Sequence, residues 1–414
     1  ILLADGSDLF LSAKNSRCKG IIVKQEKDSP AWRLLHSYIT GSVTSDITTL
    51  SCNKVPELTR VILVSRTAQG FRKPFLEELE DSAEEIFIDP SVSPQDILYV
   101  FTTSGSTGYC KLVPRTQAEI VELAFSYEIA KVPSVQYCDR SLGWLGGYPF
   151  TVYCIGEKRV MLDWYNRHGR KTGKEIWTAI CKEKCTSANC RQIDVERVVK
   201  YLDSIGGSDY KLKTLMTSGQ PVTQSQVSSD LAIAEAVVLG YGCTEAHYLS
   251  KAFVEDANAE DFFCGKPCPG VELKIIDDNG DKCPPRQTGT LLAKGGNIFS
   301  GYFNLLEDPD PNTVKCFTKD GWFNTEDLGF WDEEGNFYVL GRNKDTIMYG
   351  TVVLYPGWLE AKILQHPDVA EAVVLPVFSS FPETPTGKPD KQLLRKLVEE
   401  KFGVQSGQGS SGSK

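Results

Sequence analysis

The residues 102–111 concentrate the chemistry of this chain: Thr102-Thr103-Ser104-Gly105-Ser106-Thr107-Gly108-Tyr109-Cys110-Lys111. A run of small hydroxyl residues offers O–H and backbone N–H donors that can converge on one spot. Gly105 and Gly108 let the backbone come close to an anion, and Lys111 adds a positive charge. Such a set suits the phosphates of a nucleotide. The order differs from G-x-x-x-x-G-K-[ST], which disfavours an ordinary P-loop NTPase. A flexible Ser/Gly loop is the plainer reading of the same residues.

A phosphate loop needs rigid elements on either side. Ile97-Leu98-Tyr99-Val100-Phe101 reads as a strand entering it. Residues 116–131 have helical periodicity, with Ile120, Leu123, Ala124 and Ile129 roughly on one face. Strand, polar glycine loop and helix in that order is where α/β proteins bind phosphates. Residues 21–23 and 61–64 read as buried strands, 193–205 as a helix and 236–239 as a strand. Two hairpins follow: 271–276 turns at Asn279-Gly280, and 329–331 turns at Glu334-Gly335-Asn336 into 337–340. The pattern predicts an α/β fold with a large N-terminal domain over 1–340 and a small C-terminal portion over 341–404. Residues 405–414, mostly Gly and Ser, read as a disordered tail.

At 414 residues and 41% hydrophobic the chain is long enough for a large core. Acids outnumber bases 54 to 45, for a net charge of −9, which argues against broad nucleic-acid or anionic-membrane binding. No apolar run approaches the roughly 18–20 residues that cross a bilayer, and no secretory leader is expected. Because the chain opens on Ile1, its natural start and any targeting segment are expected to lie upstream. The 13 cysteines are scattered and odd in number, which favours reduced thiols and an intracellular setting, cytoplasmic or mitochondrial. Cys181, Cys185 and Cys190 lie near His168 but lack paired zinc spacing, and Cys181 and Cys185 fall one turn apart on an expected amphipathic helix.

The chain resembles the AMP-binding superfamily of adenylate-forming enzymes, which includes acyl-CoA synthetases. Residues 103–111 match its loop T-S-G-[ST]-T-G-x-P-K, except that Cys110 replaces the proline. Tyr241-Gly242-Cys243-Thr244-Glu245 is similar to Y-G-x-T-E, and Thr325-Glu326-Asp327 stands where the family has T-G-D. Gly341-Arg342-Asn343-Lys344-Asp345 matches G-R-x-K-D, and Pro385-Thr386-Gly387-Lys388 resembles P-T-G-K. A weaker match, Thr217-Ser218-Gly219-Gln220-Pro221, resembles the S-G-G-x-P loop beside the adenine. Five motifs in family order are far more specific than any one of them.

The resemblance implies a large N-terminal domain of several subdomains, with mixed sheets flanked by helices, and a small mobile α+β C-terminal domain. It implies ATP, Mg²⁺ and CoA as cofactors and a small-molecule carboxylate as the acid, activated as its acyl-adenylate and passed to CoA. The nucleotide would lie on Thr103, Ser104, Gly105, Ser106, Thr107, Gly108, Lys111, Gly219, Gln220, Pro221, Tyr241, Gly242, Asp327 and Arg342. Tyr241 would lie against the adenine, and Asp327 would accept from the ribose hydroxyls. Thr244 would donate to the α-phosphate, and Glu245 would hold Mg²⁺ directly or through water. Lys388 would stabilise charge as pyrophosphate departs, worth roughly 3–4 kcal/mol. Asp345 would be the hinge of the swinging C-terminal domain. Taken singly, Glu245 also reads as a solvated acid, and Asp327 with Arg342 as a surface ion pair.

Three departures from the family pattern stand out. About a hundred residues precede Thr103, fewer than the family has, so the N-terminal domain is expected to be incomplete. Only 377–383 separates the segment 368–376 from the P-T-G-K match, where the family has several dozen residues. After Asp345, Met348, Thr351 and Trp358 replace the usual lysine, glycine and glutamate. These losses leave a second reading open, a nucleotide-binding pseudoenzyme or truncated form. Trp144, Leu145 and Tyr148, in the glycine-rich stretch after Gly143, point to an apolar acid pocket for a fatty or aromatic substrate. Ordinary core packing explains them equally, and His247 reads as structural.

Overall fold

A computed structural model describes residues 7–24, 47–49, 54–64, 89–103, 111–126, 134–138, 140, 143, 145–162, 171–304, 310–349, 352–364, 366, 369, 372–375 and 396. The fold is mixed α/β. Helix α1 (Ser7–Asn15) is followed by strands β1 (Gly20–Lys24), β2 (Ile47–Thr49) and β3 (Arg60–Val64), which form a small sheet with β1 parallel to β3. Strands β4 (Ile97–Thr103) and β5 (Lys111–Thr116) form an antiparallel hairpin.

That hairpin corrects the expected order of strand, loop and helix. A second strand intervenes, and helix α2 starts only at Gln117 and runs to Ser126. Thr116 begins it: its hydroxyl accepts from the Glu119 N–H while Glu119 accepts from the Thr116 N–H, a reciprocal cap. Residues 104–110 therefore fall between two strands in the sequence, and α2 starts a whole strand later.

The dominant sheet is built from β6 (Val135–Cys138), β7 (Lys158–Val160), β8 (Ser187–Asn189), β9 (Leu212–Ser218), β10 (Ala234–Cys243), β11 (His247–Val254), β12 (Phe263–Pro267), β13 (Val271–Ile276), β14 (Gly289–Gly295), β15 (Phe323–Trp331) and β16 (Phe337–Arg342). Its order is 13-14-15-16-12-11-10-9-8-6-7. From β7 to β10 neighbours run parallel, and from β10 to β13 they run antiparallel. The sequence anticipates this change: helices alternate with strands up to β10, and hairpins follow.

On the parallel half, α3 (Phe150–Ile155) leads into β7, and α4 (Gly173–Lys182) and α5 (Gln192–Ile205) cover the sheet. Ile176, Trp177 and Ile180 of α4 and Val195, Val198 and Leu202 of α5 share one core with Leu212 and Leu215 of β9. The spacing of three and four puts each set on one helix face. Helix α4 stops at Lys182, so Cys185 lies beyond it rather than one turn along it. Buried apolar surroundings push the Cys185 thiol up to about 11, which fits an inert core thiol.

The expected hairpin at 329–340 is the β15–β16 pair, with its turn at 332–336. The Asn279-Gly280 turn is also present, with Gly280 at φ +88 and Lys282 bridging back to Ile276, and the longer ladder with β13 is made by β14 from Gly289. After β16 come a 3₁₀ turn (Asn343–Asp345), the hairpin β17 (Ile347–Tyr349) and β18 (Val352–Leu354), and helix α8 (Pro356–Leu364). Two further helices, α6 (Gln224–Asp230) and α7 (Pro311–Cys316), precede β10 and β15. The boundary expected between 340 and 341 falls inside β16.

Candidate active site

Strand β10 lies where the parallel half of the sheet meets the antiparallel half. Its last residues and the turn after it are Tyr241-Gly242-Cys243-Thr244-Glu245. The turn returns the chain as β11, so Thr244 and Glu245 occupy a hairpin turn rather than the free end of a parallel strand. Gly242 is required here. A Cβ on it would lie 1.7 Å from the His247 carbonyl oxygen, at the irregularity where Tyr241 pairs Ser250 but Gly242 pairs Tyr248.

On one side of this segment, the Tyr241 hydroxyl donates to Asp327 Oδ2 at 2.6 Å. Arg342 Nε lies 3.1 Å from Asp327 Oδ1, and Arg342 Nη1 donates to the Thr325 carbonyl at 3.0 Å. Asp327 and Arg342 are register partners in the β15–β16 ladder, so strand pairing itself delivers this ion pair. Thr325 Oγ1 donates to the Leu291 carbonyl and accepts from the Asp327 N–H. The Asp327 side chain is 9% exposed and that of Arg342 44%, so the pair spans the boundary between core and solvent. Burial raises the Asp327 carboxyl, while Arg342 and Tyr241 pull against that rise. Burial and the adjacent Asp327 charge hold the Tyr241 hydroxyl protonated. Glu326 sits at φ +61, left-handed backbone, at the position where the family pattern has glycine.

On the other side, Lys111 Nζ donates to Tyr302 Oη at 3.4 Å and lies 4.8 Å from that ring's centroid. Tyr302 in turn donates to Glu245 Oε1 at 2.8 Å. Burial, then the charge of Glu245, push the Tyr302 hydroxyl far above its ordinary value, so it remains a donor. The Phe299 N–H donates to the Glu245 carbonyl, and the Phe303 N–H to the Leu112 carbonyl. The segment around Tyr302 is thereby tied both to the turn and to β5.

Arg115, fully buried on β5, fixes the same turn from beneath. It donates to the Thr244 carbonyl at 2.6 Å and to the Asn297 carbonyl at 2.9 Å, and Glu119 lies 3.8 Å away. Asn297 Nδ2 donates to the carbonyls of Ala246 and Tyr248. The Gly219-Gln220-Pro221 loop follows β9, whose Ser218 pairs Gly240, so it lies beside the end of β10. Gly219 takes φ +92, and a Cβ on Gly357 at the start of α8 would lie 3.5 Å from the Pro221 ring.

The structure thus gathers Lys111, Gly219, Pro221, Tyr241, Gly242, Thr244, Glu245, Asp327 and Arg342 around the end of β10, with Thr103 paired to Lys111 at the tip of β4. Asp345 is exposed, one 3₁₀ turn beyond Arg342. Ser104, Gly105, Ser106, Thr107, Gly108, Trp144, Thr351 and Lys388 lie outside the described residues. Among the described residues no group of three or more His, Cys, Asp or Glu could hold a metal ion. Glu245, half-buried in the turn, is the residue that would hold a divalent cation, together with nucleotide oxygens and water. Mg²⁺, a hard ion that keeps several waters, fits that donor set.

Leu145 joins Phe101, Ile120, Leu123 and Phe150 in a buried cluster capped by Tyr99 and Tyr148, so core packing accounts for Leu145. Tyr148 packs against Tyr99 at 4.4 Å and Phe150 at 4.7 Å between ring centroids. His247, buried at φ +55, meets Phe150 edge-on at 5.9 Å and joins this aromatic cluster to the turn. Burial keeps His247 neutral. A hollow of about 830 Å³ lined by Lys158, Met161, Leu162, Lys174 and Lys182 lies at the far edge of the sheet and holds none of these residues.

A family model for the AMP-binding enzymes matches residues 12–303. The chain belongs to the AMP-binding enzyme family. A 2-succinylbenzoate–CoA ligase of Bacillus licheniformis is 30% identical over 321 residues, covering 75% of this chain and 63% of that protein. A long-chain-fatty-acid–CoA ligase of Escherichia coli is 25% identical, covering 70% and 52%. An indoleacetate–CoA ligase of Aromatoleum aromaticum is 26% identical, covering 72% and 58%. The chain thus spans between half and two thirds of the length of these relatives. O-succinylbenzoate coenzyme A synthetase of Bacillus subtilis, solved with AMP, superposes with a TM-score of 0.68 at 21% identity, covering 96% of this chain and 75% of that one. An anthranilate CoA ligase solved with anthranoyl-AMP gives 0.70 at 18% identity, covering 96% and 74%. Both likenesses establish the AMP-binding family fold.

Four residues around this candidate site were not singled out from the sequence: Tyr302, Arg115, Asn297 and Thr325 as a bonding partner. Gly301-Tyr302 and Pro114-Arg115 form no spacing with the motifs. Only the fold brings Tyr302 to Glu245.

Proposed function

We propose that this chain binds ATP with Mg²⁺ and activates an aromatic carboxylic acid as its acyl-adenylate, for transfer to CoA. The observation that carries the reading is the placement of two polar groups on one short segment. Tyr241 leads into Asp327 and Arg342, a carboxylate and a forked cation suited to ribose hydroxyls and phosphate. Three residues on come Thr244 and then Glu245, which is joined to Lys111 through the Tyr302 hydroxyl, groups suited to phosphates and their cation. A nucleotide laid along 241–245 would meet ribose ligands at one end and phosphate ligands at the other. Bound Mg²⁺ would screen the phosphate charge and orient the α-phosphorus for attack by the carboxylate.

An aromatic acid is favoured over a fatty one by Tyr99 and Tyr148, half-buried rings packed at a tilt with 4.4 Å between centroids, which suit contact with another flat ring. The 2-succinylbenzoate and indoleacetate relatives agree with that class, while the long-chain-fatty-acid relative is the competing case the acid panel must decide. Lys388 is assigned the cation that meets the developing negative charge, and Asp345 the hinge.

ATP–pyrophosphate exchange with a panel of aryl and aliphatic acids tests the proposal. Exchange dependent on aryl acids, reduced about 10²–10³-fold in Lys388→Ala, is the expected result. ATP binding without exchange for any acid would sink it and leave a nucleotide-binding pseudoenzyme.

A further inference from the structure

We propose that Tyr302 is a positioning residue that holds Lys111 and Glu245 apart on a single hydroxyl. Its oxygen accepts from Lys111 at 3.4 Å and its proton goes to Glu245 Oε1 at 2.8 Å. The inference rests on the nucleotide-binding reading of this site and names a residue that its motifs do not contain.

An ammonium and a carboxylate close enough to share one phenol would otherwise close on each other as a direct ion pair. A direct pair would satisfy both charges and leave neither facing a ligand. With the phenol between them, Lys111 keeps donors for phosphate oxygens, and Glu245 Oε2 accepts from no described residue. The phenol is itself held rigidly. Its backbone N–H donates to Thr313 Oγ1 at 2.8 Å, and its ring packs edge-on against Phe299 at 4.9 Å. The same Phe299 donates its N–H to the Glu245 carbonyl, so carboxylate and phenol are fixed by one short stretch of chain. Gly301, at φ +150, packs against the Thr313 side chain and sets the approach of Tyr302.

The phenol therefore acts on the cation end of the nucleotide. Tyr302→Phe keeps the ring and its contact with Phe299 but removes the hydroxyl, letting Lys111 and Glu245 pair. Calorimetric titration of ATP, once with excess MgCl₂ and once with EDTA, reads the effect without any turnover. Tyr302→Phe is expected to weaken binding about tenfold with Mg²⁺ and less than about twofold in EDTA. In a Glu245→Gln background the same change should cost nothing further, because the neutral amide has no charge for Lys111 to capture. Lys111→Met, which leaves the Tyr302–Glu245 bond intact, should lower both affinities while leaving their ratio within about twofold of the parent's.

Equal weakening in both buffers, an undiminished effect in Glu245→Gln, or a shifted ratio in Lys111→Met would each overturn the proposal. The Lys111→Met arm decides alone if Tyr302→Phe lacks a cooperative thermal transition. If the parent fails to bind ATP in either buffer, the nucleotide reading itself falls, an outcome separate from all of these.

Discussion

Asp230 should make the protein less stable as pH rises, and Asp230→Asn should abolish that loss. The side chain, at the last residue of α6, is fully buried. Oδ1 accepts from Gln192 Nε2 at 2.9 Å, while Oδ2 has no donor. Burial raises its carboxyl from the ordinary 3.8 to about 7; Gln192 opposes the rise and the charge of Glu196 adds to it. Between those two values the folded chain holds a proton that the unfolded chain has released. Stability from this group is therefore complete below the lower value, falls through the window, and is flat above about 7. A gap of about three units corresponds to a ceiling on the order of 4 kcal/mol. The asparagine keeps the acceptor for Gln192 but adds a buried amide donor without a partner, which costs roughly 1–3 kcal/mol. The net gain for Asp230→Asn above pH 7 is then about 1–3 kcal/mol, shrinking to nothing or reversing by pH 5. Urea unfolding of both proteins between pH 5 and 9, followed by circular dichroism, gives the difference directly. Other titrating groups cancel in that difference. A difference that is constant with pH, or that favours the parent more as pH rises, would refute the reasoning.

Two further substitutions probe the site. Tyr241→Phe keeps the ring but strips the 2.6 Å donor from Asp327; ATP binding by calorimetry should weaken about tenfold, a hydrogen bond to a charged group being worth roughly 1.5–3 kcal/mol. Arg115→Met leaves Glu119 and the carbonyls of Thr244 and Asn297 without their buried cation. It should lower stability by about 3–5 kcal/mol, read as a drop in the thermal midpoint.

Some of this site was legible in the sequence because its parts are local. The 241–245 segment ends a continuous apolar strand, and the 329–340 hairpin carries its own turn residues, so both could be placed without knowing their partners. Strand β5 was not legible. Pro114 and Arg115 argue against a strand, since proline breaks a ladder and a charge resists burial. The hairpin, two-stranded among the described residues, tolerates Pro114, and buried Arg115 donates to two carbonyls with the Glu119 charge 3.8 Å away. Tyr302 was missed for a different reason. It is 57 residues from Glu245 and 191 from Lys111 in the chain, and no periodicity spans such distances.

The position of the site follows from the sheet. In the parallel half, strand ends point the same way and leave open loops, such as Gly219-Gln220-Pro221 after β9, but offer no facing pair of strands. In the antiparallel half, register sets side chains directly opposite each other, which is how Asp327 meets Arg342. Among the described strands only β10 borders both halves. Its final residues can use the loop of the strand on one side and the cross-strand ion pair on the other, and Tyr241 joins the two by hydrogen-bonding to Asp327. The same logic explains the irregularity opposite Gly242. A side chain's face alternates with each residue, so a ladder without that extra residue on β11 would shift the pairing of the turn by one. The interrupted register lets β11 fill the core with Leu249 while Tyr241 and Glu245 both reach the groups that a nucleotide would contact.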